Sequence, residues 1–391
     1  MGSVRTVAGS LMQPLTAGVL AAVVGFASAF TIVLAGLRAA GASPAQAASG
    51  LLALCVVQGG LTIFLSLRTR QPISIVWSTP GAALLIGIGV PPGGFATAVG
   101  AFLLSGALIV AAGLIRPLGR AVAAIPMPLA SALLAGVLME LCLAPVQAVA
   151  RLPELALPVV AVWALAWRLA PRWAVPLAVA VTAAIVLLAT RLPPGALAEV
   201  RPGVALVWPA FRPAASIGIA VPLFIVTMAG QNVPGLAVLR GNGYAVPVGP
   251  VFVASGLGSA LSALCGGHAL NLSAIAAALC AGPEAGADVR RRYLAAVAAG
   301  VTYLLLGLSA GLASAFIAAS PPLLIQAVAG LALLGSLAGA LGNALADERA
   351  RLPAVVTFLV SASGVALLGI GAAFWGLLAG GLLLALQRAG R

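Results

Sequence analysis

Long apolar runs, separated by short stretches of arginine, proline and glycine, repeat from Gln13 to the last residues without a long polar interval. A helix rising ~1.5 Å per residue needs about 20 mostly apolar residues to cross a ~30 Å hydrocarbon core. On that measure the pattern predicts fourteen spans, at 13–37, 45–66, 73–90, 95–115, 123–146, 154–170, 173–190, 213–239, 246–264, 268–282, 293–317, 322–346, 353–370 and 372–387. The last 35 of these residues, 353–387, make about 52 Å as one helix, so two short spans turning near Gly369, Ile370 and Gly371 fit better. At the N-terminus, Arg5 precedes an apolar run longer than a signal-peptide core, with no convincing cleavage site, so it reads as the first span.

Two segments break the helical pattern. In the third, Gln71 to Trp77 has β-branched and aromatic residues, followed by Ser78-Thr79-Pro80-Gly81 and an apolar run to Ile88. That order predicts an extended piece, a cap at Ser78 or Thr79, and a half-helix with Pro80 in its first turn. The tenth repeats the plan with Gly266-Gly267-His268-Ala269-Leu270, then Asn271 or Ser273 as cap and an alanine-rich run to Cys280. The predicted fold is therefore an all-α polytopic membrane protein whose third and tenth segments are half-helices preceded by short extended pieces.

Composition agrees with a bilayer as the main solvent: 62% of residues are hydrophobic, 7% are charged and mean hydropathy is +1.19. A formal net charge of +13 raises the question of nucleic acid, yet the arginines sit singly or in small groups between apolar runs. They report topology instead. With the N-terminus inside, fifteen arginines face the cytoplasm and five (Arg38, Arg151, Arg191, Arg201 and Arg212) face out. Both termini are then cytoplasmic, as expected of an inner-membrane protein. Cys55, Cys142, Cys265 and Cys280 lie far apart within apolar runs and read as small packing residues.

A short repeat divides the chain in two. Leu34-Ala35-Gly36-Leu37-Arg38-Ala39-Ala40-Gly41 recurs as Leu236-Ala237-Val238-Leu239-Arg240-Gly241-Asn242-Gly243, identical at five of eight positions and displaced by 202 residues. Each copy ends the first span of its half. Seven spans per half is an odd number, so the second half lies inverted, giving a 7+7 inverted repeat of the kind found in secondary transporters.

In such carriers the site lies near the midplane, where broken helices meet. Irregular backbone at that depth is tolerated only where it is buried or lines a cavity. Two helix N-termini there present free N–H groups and partial positive charge, which suits an anion. The candidate substrate contacts are Trp77, Ser78, Thr79, Gln231, Asn232, His268, Asn271 and Ser273. For Gln231 and Asn232 an interhelical hydrogen-bonding role stands beside substrate contact. For His268, the only histidine, proton coupling stands beside a structural role. Glu140, the only acidic residue well inside a predicted span, is either interfacial or a second proton-coupling candidate. One histidine and scattered cysteines build no metal cluster, nucleophile-base pair or phosphate loop, so no metal, no cofactor and no enzyme activity are expected.

The stretches Gly230 to Arg240, Gly266 to Ile275, Ala281 to Ala285 and Ser363 to Gly376 resemble the bacterial benzoate/proton symporter family, and the likeness extends over nearly the whole chain. The resemblance implies import of benzoate or a similar aromatic carboxylate with protons. It also implies kinship with nucleobase and sulfate transporters, in which a core domain moves against a gate domain, often within dimers. Carried over, the core comprises 1–120 and 213–320, the gate 121–212 and 321–391, and a homodimer in the lipid bilayer is the implied assembly. Nucleobase permeases use carboxylates in their eighth and tenth spans, whereas Pro213 to Pro283 holds no Asp or Glu here. That departure favours an anionic ligand over a neutral base. Transport of another organic anion or a nucleobase, or a channel, remains the alternative.

Overall fold

The computed structural model describes residues 2–115, 117, 126–189, 203–365, 367 and 372–389. In chain order the elements are α1 (Gly2–Ala39), α2 (Pro44–Thr69), β1 (Ile75–Trp77), α3 (Thr79–Ile88), α4 (Phe95–Leu114), α5 (Met127–Arg151), α6 (Pro153–Leu169) and α7 (Ala174–Ala189). The second half follows with α8 (Pro213–Gly241), α9 (Val248–Leu264), β2 (Leu270–Leu272), α10 (Ala274–Ala281), α11 (Tyr293–Gly307), α12 (Ala310–Ala319), α13 (Pro322–Leu345), α14 (Arg351–Ala362) and α15 (Ala372–Ala389). Among the described residues, six helices are long and apolar enough to cross a membrane singly: α1 from Leu11, α2, α4, α5, α8 and α13. The protein is thus a mostly helical, multi-pass membrane protein.

Local sequence explains where the helices start, stop and bend. Helix α2 opens with a capping box: Ser43 Oγ accepts from the Gln46 N–H, and Gln46 Oε1 accepts from the Ser43 N–H at 2.9 Å. Helix α1 closes at Gly41 (φ 101°), whose N–H donates to Arg38 O at 3.0 Å while the Ala42 N–H donates to Leu37 O at 3.0 Å. Helix α8 closes the same way at Gly243 (φ 85°), with bonds to Arg240 O at 2.9 Å and from Tyr244 to Leu239 O at 3.0 Å. Within α8 the turns Ser216–Ala220 and Met228–Asn232 are π-helical. Pro222 and Pro234 follow them, and each ring presses on the carbonyl four residues back while offering no N–H, which the wider turn relieves.

The expected span at 293–317 falls on two helices, α11 and α12, bent by 58° at a short break. There Leu308 and Ser309 make i→i−3 bonds, and Ser309 Oγ donates to Leu306 O at 2.7 Å, so the helix tightens and turns. The stretch 353–387 forms two helices, α14 and α15, and the turn expected at Gly369–Gly371 lies outside the described residues.

Packing runs α2 along α11, α4 along α9, α5 along α13, and α14 against both α5 and α15. Small residues allow these approaches: a Cβ on Gly106 would stand 2.9 Å from Gly256 O, and one on Gly256 2.7 Å from Gly106 O. One large buried cluster joins α1 to α4 and α8 to α12 with residues of α5 (Leu133, Leu138, Leu141), α13 (Ala329, Leu333) and α15 (Ala373), and Ala148, Val159, Val186, Leu324 and Val328 belong to a separate one among α5, α6, α7 and α13.

Strands β1 and β2 pair antiparallel, Ile75 with Leu272, Val76 with Asn271 and Trp77 with Leu270, extended by Ser78 N–H to Ala269 O (2.9 Å) and Ser273 N–H to Ser74 O (3.1 Å). A two-stranded ribbon buried in a membrane protein has two unpaired edges, and no water to satisfy them. Side chains from neighbouring helices close both. On the β1 edge, Gln58 Oε1 accepts from Trp77 N–H (2.7 Å), Thr62 Oγ1 bonds both Ile75 N–H and Ile75 O, and Ser66 Oγ donates to Ile73 O (3.1 Å). On the β2 edge, Ser259 Oγ accepts from Leu270 N–H (2.8 Å), Ser262 Oγ donates to His268 O (3.3 Å) and Asn232 Oδ1 accepts from Leu272 N–H (2.9 Å).

Candidate functional site

The ribbon aims two helices at one space. Each strand runs into a half-helix through a serine cap: Ser78 Oγ accepts from Gly81 N–H (3.1 Å) and Ser273 Oγ from Ala276 N–H (3.1 Å). A cap answers one of a helix's first N–H groups and leaves others. The N–H groups of Thr79, Ala274 and Ile275 have no partner among the described residues.

A cavity of about 140 Å³ opens where these two N-termini converge. Trp77, Thr79, Gln231 and Ser273 line it, with Tyr303 of α11 and Ser336 of α13 among the other walls. The Trp77 ring contacts Phe26 (5.8 Å between centroids) and meets Tyr303 edge-on (5.9 Å, 69°), so one side of the cavity is aromatic. Helix α13 contributes Ala332, Leu333 and Ser336 to the lining.

The remaining candidate residues stand elsewhere. Ser78 is buried behind the cavity, capping α3 and receiving the Thr227 hydroxyl at 3.0 Å. Asn232 turns away from its neighbour Gln231: its Oδ1 holds the β2 edge and its Nδ2 lies 3.1 Å from Met228 Sδ. His268 and Asn271 are fully buried beside and within β2 and do not line the cavity. His268 Nδ1 lies 3.1 Å from Ala269 O with Nε2 unpartnered, while Asn271 Nδ2 donates to Leu272 O (2.8 Å) and leaves Oδ1 unpartnered. Glu140 is exposed at a second cavity of about 70 Å³, which it shares with Gly87 and Ile88 at the C-terminal end of α3 and with Ser361 of α14. Cys55, Cys142 and Cys280 are buried free thiols, and no cluster of metal-ligating side chains occurs among the described residues.

Sequence reasoning missed Tyr303, Ser336 and the ribbon's clamps. A tyrosine in the middle of an otherwise apolar run is a readable signal for Tyr303, because a buried phenol needs a use for its hydroxyl. Nothing in the local pattern points to Ser336.

Half-helices paired through a short ribbon inside a bundle of membrane helices form a fold that solved membrane transport proteins share. The transmembrane domain of a cyanobacterium bicarbonate transporter, BicA, superposes with a TM-score of 0.60 at 18% identity, covering 94% of this chain and 97% of that one. The overall structure of SLC26A9 gives a TM-score of 0.65 at 14% identity, covering 95% of this chain and 65% of that one. At those identities the likeness speaks for the fold alone. Sequence speaks for the family: residues 10–386 match the model of the BenE benzoate membrane transport protein family, to which this chain belongs. The chain is 41% identical to the inner membrane protein YdcO of Escherichia coli over 94% of both chains. It is 30% identical to the benzoate membrane transport protein of Acinetobacter baylyi, over 93% of this chain and 92% of that one.

Proposed function

We propose that this transporter imports benzoate or a similar aromatic carboxylate across the bacterial inner membrane together with protons. The observation that carries the reading is the cavity between the two serine-capped half-helices, with unpartnered N–H groups beside the Trp77 and Tyr303 rings. Partial positive charge at helix N-termini favours the carboxylate, and the aromatic wall favours a ring. A cavity of about 140 Å³ is close to the roughly 150 Å³ that accommodates benzene in an engineered protein cavity, so a single ring is the natural limit. Within this reading the carboxylate bonds Thr79 or Ile275, and Gln231 supplies a further donor.

Alternating access follows from a 7+7 inverted repeat, in which 1–120 and 213–320 form the core and 121–212 and 321–391 the gate. Two sets of matched bonds support the repeat. The Gly41 and Gly243 closures are the same motif at the same displacement as the sequence repeat. The clamps also recur, Thr62 and Ser66 of α2 on one strand, Ser259 and Ser262 of α9 on the other. The cavity walls support a substrate held between core and gate, since α13 falls on the gate side. His268, with its unpartnered Nε2, and Glu140 are the candidate proton carriers.

Uptake of labelled benzoate into proteoliposomes under an inward proton gradient is the direct test. Saturable uptake that collapses with a protonophore is expected, and its absence overturns the assignment. A thermal-shift panel of benzoate, cyclohexanecarboxylate, bicarbonate, sulfate and uracil separates the alternatives: stabilisation by bicarbonate alone reassigns the site to a small inorganic anion. His268→Gln and Glu140→Gln are compared for gradient-driven uptake and for counterflow. The proton carrier loses the former and keeps the latter.

Gln231 and Asn232 provide a second check. Gln231→Leu removes a donor to a charged ligand, worth roughly 1.5–3 kcal/mol, and is expected to weaken benzoate about tenfold or more with an unchanged melting temperature. Asn232→Leu leaves the buried Leu272 N–H without its acceptor, a cost of about 1–3 kcal/mol, and is expected to lower the melting temperature in detergent.

A further inference from the structure

Resting on the proposed anion site, we infer that Tyr303 is a specificity-determining residue whose hydroxyl donates a hydrogen bond to the bound carboxylate, held in place by a notch at Gly25. Tyr303 is nearly fully buried, yet its hydroxyl makes no hydrogen bond among the described residues. A phenol hydroxyl held without an acceptor is unfavourable. The residue borders the cavity, where a ligand can supply the missing acceptor. Its ring stands edge-on to Trp77 and its hydroxyl lies beside Gly25, and Trp77, Gly25 and Thr79 all line the same cavity.

Gly25 of α1 sets the ring's position. A Cβ at Gly25 would lie 2.7 Å from Tyr303 Oη but 3.9 Å from Cζ. The conflict is with the hydroxyl alone, because 3.9 Å is an ordinary contact between carbon atoms. Any side chain at 25 therefore displaces the tyrosine, and with it the face it presents to Trp77, while a phenylalanine at 303 fits beside an alanine. Gly25 is a positioning residue acting through Tyr303, and Tyr303 touches the ligand.

The chemistry favours a carboxylate over a neutral ring compound at this hydroxyl. A phenol is a good donor, and its bond to an ionised acceptor is about twice as strong as one to a neutral acceptor. The substrate class read by Tyr303 is thus an anion with an attached apolar group that packs against Trp77.

The test is a double-mutant cycle on the intact protein, with half-saturation and melting temperature measured in detergent for benzoate and the same anion panel. Tyr303→Phe is expected to weaken benzoate at least tenfold while leaving the melting temperature without ligand unchanged or higher. Gly25→Ala is expected to weaken benzoate and lower the ligand-free melting temperature. Gly25→Ala combined with Tyr303→Phe is expected to recover that melting temperature, since the clashing atom is gone, and to bind no worse than Tyr303→Phe alone. Half-saturation within twofold of wild type for Tyr303→Phe overturns the hydrogen bond, and additive losses in the double variant overturn the notch. If another anion and not benzoate stabilises the wild type, the substrate assignment fails and the same cycle is read with that anion. If no anion stabilises the wild type, both readings fall.

Discussion

Thr79→Asp is expected to abolish benzoate uptake by roughly a thousandfold without unfolding the protein. Thr79 is the first residue of α3, lines the cavity, and has an unpartnered N–H. An aspartate there puts a carboxylate where the proposed substrate brings its own. Two like charges about 4 Å apart repel by roughly 4 kcal/mol at an effective dielectric constant near 20, which is about three orders of magnitude in affinity. The same charge is favourable to the helix, because an acidic residue in the first turn interacts with the macrodipole by about 0.3–1 kcal/mol. Folding and binding therefore move apart, with the melting temperature held and ligand stabilisation lost. Thr79→Asn, of like size and neutral, is the control and is expected to stay within tenfold of wild type. A Thr79→Asp protein that still takes up benzoate with its original half-saturation would exclude the α3 N-terminus as the anion's seat.

The half-helix probed by Thr79→Asp is legible in the amino-acid sequence itself. The broken third and tenth segments can be read there because a β-branched stretch followed by Ser-Thr-Pro-Gly has one economical conformation, an extended piece running into a capped helix. The structure resolves the choice of caps to Ser78 and Ser273, with Asn271 left on the strand. Other distinctions are not readable from sequence. Gln231 and Asn232 are adjacent on a helix that is apolar nearly all round, so the pattern names no inward face. They are successive residues of a π-helical turn and so point in different directions, and only packing decides that one meets the cavity and the other the edge of β2. The same holds for His268, which the sequence sets beside the half-helix and the structure buries behind it. Contacts such as Gly25 with Tyr303 join residues far apart in the chain, and apolar periodicity carries no information about them. The bend between α11 and α12 escapes for another reason: an apolar run carries no mark of a bend when the break is made by Ser309 bonding its own backbone.

Close approach of backbones gives the second large effect, and it separates two glycines that a sequence cannot tell apart. Gly36 of α1 and Gly60 of α2 both sit inside long apolar helices. A Cβ on Gly36 would stand 2.5 Å from Ala82 O and 3.1 Å from Ala82 C, while one on Gly60 would meet nothing within 4 Å. The atoms facing Gly36 are all backbone, so no rotamer change relieves them. To reach an ordinary contact of ~3.5 Å, α3 must retreat by about 1 Å, and it carries the Thr79 N–H with it. A hydrogen bond near ~2.9 Å does not survive that retreat. Gly36→Ala is therefore expected to cost about 1–3 kcal/mol from overpacking and to lose ligand stabilisation as well. Gly60→Ala makes the identical chemical change at an exposed helical position and is expected to stabilise by about 0.5–1 kcal/mol, because alanine loses less backbone entropy in a helix than glycine. Melting temperatures in detergent, with and without benzoate, check both. Opposite signs without ligand, with the ligand-induced shift lost only in Gly36→Ala, follow if α1 is the surface against which the half-helix is set. Equal shifts in the two variants would mean that α3 takes its position from the ribbon alone.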